Sequence, residues 1–337
     1  MQTLKKLQFK LSDVSTYRSQ LMGWSILWIM ALHFRFISLK PLGFVAQYGF
    51  SGVEIFMFVS GLGLYHSLNK QPALLQFYQK RLIRIFPTYA IIGLFASFIL
   101  LGDNLPTYLL RCTTIGFWTG MPYFEWYIPS IISLYFAAPF IKKLLDSRWS
   151  PALIVIVLFI LVSAFFIAKS QPSDLSHFFL YYRIPSFIAG MVCTKCLLNK
   201  FIPLPAMMKC YWLTAALGVV VFIFCFPLHH QIYAYKYYSL FFLMPLFIAF
   251  FCIFSKLLGP LSYIIKSVGD ASLEVYLIQY LFFSAIINDQ LPIKDQWHDA
   301  VTLLLIAGCS IAGILFHRAM EHVISAVSAK RSSNTGV

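Results

Sequence analysis

Charge is what this 337-residue chain has least of. Asp and Glu number 12 and Lys and Arg 26, so that 11% of the sequence is charged against 60% hydrophobic, with a mean hydropathy of +0.77. No soluble core could hide that much apolar surface, which leaves an integral membrane protein. The formal net charge of +14 comes as much from the shortage of acids as from the bases, and it needs no nucleic-acid partner if the bases collect in cytoplasmic loops. The seven cysteines are scattered over apolar segments and give no disulfide framework. Cys193 and Cys196 lack the second pair or nearby histidines of a zinc site, so no metal is expected. An internal repeat, paired broken helices, a second soluble domain and a small-residue cleavage site after Lys5, Lys6 and Lys10 are all missing, and the first apolar run reads as an uncleaved span.

What is present is a succession of apolar runs of spanning length. They fall near Gln20–Phe36, Gly43–Tyr65, Pro87–Leu101, Trp126–Leu144, Ala152–Ala168, Phe178–Leu198, Tyr211–Pro227, Ser239–Leu258, Val268–Ile287 and Ala300–Met320. Most of the Lys and Arg lie on one side of this map, as in Lys80, Arg81 and Arg84, or Lys142, Lys143 and Arg148. The spans predict an all-α polytopic membrane protein of about ten transmembrane helices, and the asymmetry puts both termini in the cytoplasm. Residues 1–327 form one transmembrane domain and 328–337 a polar C-terminal tail.

Within these spans a few polar residues require a reason. Glu54 lies in Ser51–Leu64 (SGVEIFMFVSGLGL), and placing a charge at that depth costs ~2.5–3.5 kcal/mol unless it faces protein or a wet cavity. Gly52, Ser60, Gly61 and Gly63 give the same helix a small-residue surface on which another backbone, or a substrate, can come close. His33, toward the outer end of the first span, is expected at a similar depth to Glu54, where the pair could serve as a base and its orienting carboxylate. Arg81 and Arg84, at i and i+3, share a helical face able to grip a phosphate or simply to anchor the span. Arg183 is the costliest intramembrane cation and is expected to face a cavity. Asp270 and Glu274 fall at the inner end of the ninth span, and Glu321 follows His317 and Arg318. Trp126, Tyr127, Trp212 and Trp297 read as interfacial anchors.

In combination, Met22–His33 (MGWSILWIMALH), Gly52–Gly61 (GVEIFMFVSG), Arg81-x-x-Arg84-Ile-Phe-Pro87, Glu125-Trp-Tyr127, Arg183-Ile-Pro-x-Phe-x-x-Gly190, Gly269–Gln279 (GDASLEVYLIQ) and Glu321 resemble the membrane-bound acyltransferase 3 family in order and spacing. The resemblance implies a bacterial inner-membrane enzyme that moves an acyl group, commonly acetyl, from acyl-CoA to a hydroxyl of a cell-envelope glycan. On it, the functional histidine is His33, the acidic residue Glu54 and the arginine pair Arg81 and Arg84. Two positions depart. The family usually has an Arg where this chain has Met22, and often a His where it has Gln279. Arg18 lies one turn below Met22 and is the candidate replacement, although at ~100° per residue it is rotated roughly 60° from His33 where Met22 is off by about 20°.

The expectation is therefore an O-acyltransferase with acetyl-CoA as donor substrate and a polysaccharide or lipid-linked sugar as acceptor. Arg81, Arg84 and Arg18 would hold the CoA phosphates, His33 and Glu54 would work deeper, and Arg183 would face the developing oxyanion. The rival from another class is a transporter or flippase for a lipid-linked sugar or small solute, since His, Glu and Arg also line substrate pathways. A catalytically dead membrane receptor or scaffold is the third.

Overall fold

The computed structural model describes residues 8–121, 125–147, 176–199, 203–228, 234–287 and 297–334. Among these residues the regular structure is helical, with no strand. In chain order the α-helices are α1 Leu11–Thr16, α2 Arg18–Phe34, α3 Lys40–Ala46, α4 Phe50–Leu68, α5 Leu74–Phe95, α6 Leu105–Cys112, α7 Ile115–Trp118, α8 Tyr127–Asp146, α9 Ser176–Asn199, α10 Leu204–Cys225, α11 Ala234–Leu258, α12 Ser262–Asp270, α13 Ser272–Ile287 and α14 His298–Asn334.

Among the described residues six helical stretches are long and apolar enough to cross a membrane: Lys40–Leu68, Leu74–Leu100, Tyr127–Asp146, Leu204–Cys225, Tyr237–Asp270 and His298–Ala326. The ten expected spans are thus reached only in part. α2 and α13, with 17 and 16 residues, fall short of the ~20 that a bilayer takes. α9 has the length, but Arg183 and Lys195 interrupt its apolar run. The expected span Ala152–Ala168 lies outside the described residues. Other boundaries shift as well. α5 begins at Leu74 rather than at Pro87, which sits inside it, so Arg81 and Arg84 are helical. The expected ninth span is broken at Ala271 between α12 and α13. The polar stretch from Ser328 continues α14 to Asn334.

Apolar on every side, α4 is buried along almost its whole length, as such a helix must be. It runs antiparallel to α2, with Gly52 against the Ser25 carbonyl and Gly49 against that of Trp28. Against α9 it runs parallel. Ser186 donates to the Glu54 carboxylate and the Thr194 hydroxyl donates to the Leu62 carbonyl, both across 132 residues of sequence. Between these bonds Gly61 meets the Phe187 carbonyl and Gly190 that of Phe58, so closely that a Cβ on either would overlap a backbone oxygen. The small-residue surface read from the sequence is therefore a helix-packing surface at Gly52 and Gly61. Gly190→Val is expected to lower the melting temperature in detergent by about 2–10 °C, because a forced overlap costs roughly 1–3 kcal/mol. Gly93→Ala, whose Cβ would meet nothing within 4 Å, is the control; equal melting temperatures for the two variants would refute the close-packing account.

The far end of α2 is tied down from α14. Asp299 accepts from the backbone N–H groups of Ile37, Ser38 and Leu39 at 2.7, 3.0 and 2.6 Å. Thr302 donates to the carbonyls of Phe34 and Arg35 at 3.1 and 2.8 Å. The turn that leaves the helix immediately after His33 is therefore fixed by side chains, with Arg35 held at φ 62°.

Candidate active site

A cavity of about 340 Å³ runs between these helices, with Arg18, Arg84 and Asp270 at one end and His33, Arg183 and Tyr237 toward the other. Arg18 and His33 bracket α2, so the cavity follows that helix for fifteen residues, or ~22 Å at ~1.5 Å per residue. Met22, one turn along α2 from Arg18, also lines it.

The arginine end is strongly basic. Arg18 lies across α4 at Gly63, where a Cβ would come within 3.0 Å of its Nη2. Arg18, Arg81 and Arg84 all act electrostatically on Tyr135, a cavity residue of α8. The three differ in commitment. Arg84 donates to Glu274 Oε1 at 3.1 Å and to the Asp270 carbonyl at 3.0 Å, and its Nη1 lies 3.1 Å from His317 Nδ1. Much of its fork therefore holds α5 to α12, α13 and α14. Arg81 stacks on Phe77 at 4.3 Å, outside the cavity wall. Among the described residues neither Arg18 nor Arg81 has a carboxylate within ion-pair distance. An anion entering this end thus meets in Arg18 a cation whose charge is not locally cancelled, with Arg81 just outside the wall.

At the other end, His33 Nδ1 lies 2.9 Å from Gln279 Oε1, and its ring stacks on Phe283 at 4.2 Å and 17°. The bond engages Nδ1 and leaves Nε2 open; in the tautomer in which Nδ1 donates to the amide oxygen, Nε2 keeps the lone pair a base needs. Gln279 is fully buried on α13. Sequence reasoning counted it as a departure from a family pattern and missed it as the partner of His33.

The expected pairing of His33 with Glu54 is not what the helices bring together. Gly49 packs at Trp28 and Gly52 at Ser25, so Glu54 is level with about Gly23 of α2, nearly three turns from His33. The carboxylate also faces α9 instead of α13. There it accepts from Ser186, while its Oε1 stands 3.9 Å from Arg183 Nε. Arg183, 1% exposed, faces the cavity as expected. Its guanidinium lies over Trp126 at 4.8 Å and Tyr237 at 4.6 Å, and Nη1 donates to the Phe179 carbonyl at 3.2 Å. Trp126 and Tyr127, read as membrane anchors, line the cavity, whereas Trp212 and Trp297 are exposed. An aromatic slab beneath a buried cation takes the place of some of its lost hydration.

Glu125 is a further buried carboxylate. Its Oε2 accepts from the Ile128 N–H at 2.9 Å in the first turn of α8 and lies 3.5 Å from the Tyr276 hydroxyl. Only its place before Trp126 and Tyr127 drew attention to it in the sequence.

A family model described as an acyltransferase domain matches residues 21–318. The chain belongs to the acyltransferase 3 family. No curated protein and no solved structure matches it. The stretch matched by the acyltransferase model contains His33, Glu54, Arg81, Arg84, Arg183 and Gln279, and Arg18 and Glu321 fall just outside it. With its several spanning helices, this acyltransferase is a multi-pass membrane protein.

Proposed function

We propose that this acyltransferase takes an acyl group, acetyl in the first instance, from acyl-CoA and esterifies a hydroxyl of a cell-envelope polysaccharide or its lipid-linked precursor. Its place would be the bacterial inner membrane, with both termini and the arginine end cytoplasmic. The observation that carries this reading is the continuity of one cavity from the arginine cluster to His33. A donor with a polyanionic head and a long flexible arm ending in a thioester suits such a shape.

In this reading Arg18 binds the phosphates at the cavity mouth, Arg81 adds positive charge from just outside its wall, and Arg84 braces the mouth through Glu274. The arm then carries the thioester toward His33. Nε2 of His33 removes the proton of the acceptor hydroxyl as its oxygen bonds to the acyl carbon. The C–S bond breaks, and the thiolate leaves with the proton from the imidazolium, so protons balance without an outside acid. Gln279 keeps Nδ1 as the donor throughout. Arg183 stabilises charge on the carbonyl oxygen, and Glu54 holds Arg183 rather than His33.

The test is thiol release from acetyl-CoA by purified protein with a glycan acceptor. A flippase would release none. Arg18→Ala with Arg81→Ala is expected to raise KM for acetyl-CoA at least tenfold, on the order of one lost charged hydrogen bond, with a smaller effect on kcat. An unchanged KM in protein that inserts normally would return both arginines to anchoring.

A further inference from the structure

On the outside of the arginine end, a groove of about 700 Å³ opens between α5 and α14. Its charged lining is Lys80, Arg84 and Arg318 against the single carboxylate of Glu321, with His322 and Ser325 beside them. Neither Lys80 nor Arg318 has an ion-pair partner among the described residues. The carboxylate of Glu321 stands 3.4 Å from His317 Nε2. The groove is therefore cationic, with a hydroxyl and an imidazole beside the charges.

Its walls also have a direction. α5 runs away from the basic end and α14 runs toward it. Above Lys80 and Arg318 the outer surfaces of both helices carry exposed apolar side chains, Ile83 and Phe86 on one and Leu315 on the other, at 45%, 43% and 60% exposure. A ligand fitting this face has an anionic head at the bottom and hydrocarbon above, which is the build of a phospholipid and not of a soluble phosphate.

We infer that this groove seats the headgroup phosphate of an anionic phospholipid, with Lys80 and Arg318 as its principal cations. Arg84 belongs to the walls of both groove and cavity. A phosphate in the groove competes with Glu274 for its guanidinium, so headgroup occupancy and donor binding are linked. The headgroup site stands independently of the proposed function; only the link rests on it.

The full-length protein is reconstituted in bilayer discs of phosphatidylcholine with increasing phosphatidylglycerol, and the lipids retained after gentle detergent extraction are counted by mass spectrometry. Wild type should retain phosphatidylglycerol preferentially. Lys80→Gln with Arg318→Gln should reduce that preference about tenfold or more, since each basic residue near an anionic surface is worth ~1 kcal/mol. Leu213→Gln, on the exposed face of α10 away from the groove, should leave it unchanged. Equal retention by wild type and the double variant would overturn the site. Displacement of the lipid by adenosine 3′,5′-bisphosphate in wild type would overturn the lipid assignment in favour of a soluble phosphate. For the link, KM for acetyl-CoA should vary with phosphatidylglycerol content in wild type and be flat in the double variant; two flat responses would remove the link and leave the headgroup site standing.

Discussion

His33→Ala is expected to reduce acyl transfer by about 10²–10⁴-fold, the usual cost of losing a positioned general base, while acetyl-CoA still binds. The two effects separate because His33 stands ~22 Å along α2 from Arg18 at the other end of the cavity. A second variant guards against reading a folding defect as catalysis. Gln279→Ala leaves the imidazole in place on Phe283 but removes the acceptor that holds Nδ1–H. It should lower kcat and leave KM for acetyl-CoA as it was, because the wrong tautomer cannot take the hydroxyl proton through Nε2. Glu54→Gln should disturb transfer less than His33→Ala, since its contacts lie with Ser186 and Arg183. Wild-type thiol release by folded His33→Ala protein would show that the imidazole is structural.

Arg183→Leu is expected to cost about 3–5 kcal/mol of stability, as breaking one side of a buried ion pair does. The loss is large because Glu54 would remain fully buried with only Ser186 to serve it, and because Trp126 and Tyr237 would lose the cation over their rings. Glu54→Leu in the same chain should recover part of that loss, since two apolar side chains strand no charge. The comparison is made by thermal denaturation in detergent across wild type, both single variants and the double. Losses that simply add would mean that the 3.9 Å separation of Arg183 Nε and Glu54 Oε1 carries no coupling.

The sequence made the residue types legible and left their partners obscure. Composition alone required helices in a membrane, and the cost of an intramembrane charge singled out Glu54 and Arg183. It could not show that they serve each other, because a contact between helices so far apart in the chain leaves no local trace. Depth failed for a related reason. Counting along hydrophobic runs put His33 and Glu54 on one level, but the register between α2 and α4 is set by where Gly49 and Gly52 let the backbones touch. Gln279 was misjudged because it was compared with a family pattern and not with its own surroundings. For Arg84 the i, i+3 spacing from Arg81 was all that could be seen, and it left a phosphate grip and a simple anchor both open. Its ties to Glu274, Asp270 and His317 come from helices 186–233 positions downstream.

The contact between α4 and α9 also sets a timetable for biogenesis. Glu54 is synthesised 132 residues before Ser186, and at ~5–20 residues per second the ribosome takes on the order of ten seconds to deliver its partners. For that interval an acidic helix is at the membrane without the serine and arginine that later hold it. Either the insertion machinery shelters α4 until α9 arrives, or α4 enters the bilayer with its carboxyl group unpartnered. Pulse-labelled chains halted between residues 70 and 175 would therefore be easier to extract from the membrane at alkaline pH than chains halted after residue 200, and replacing Glu54 by Leu would abolish that difference.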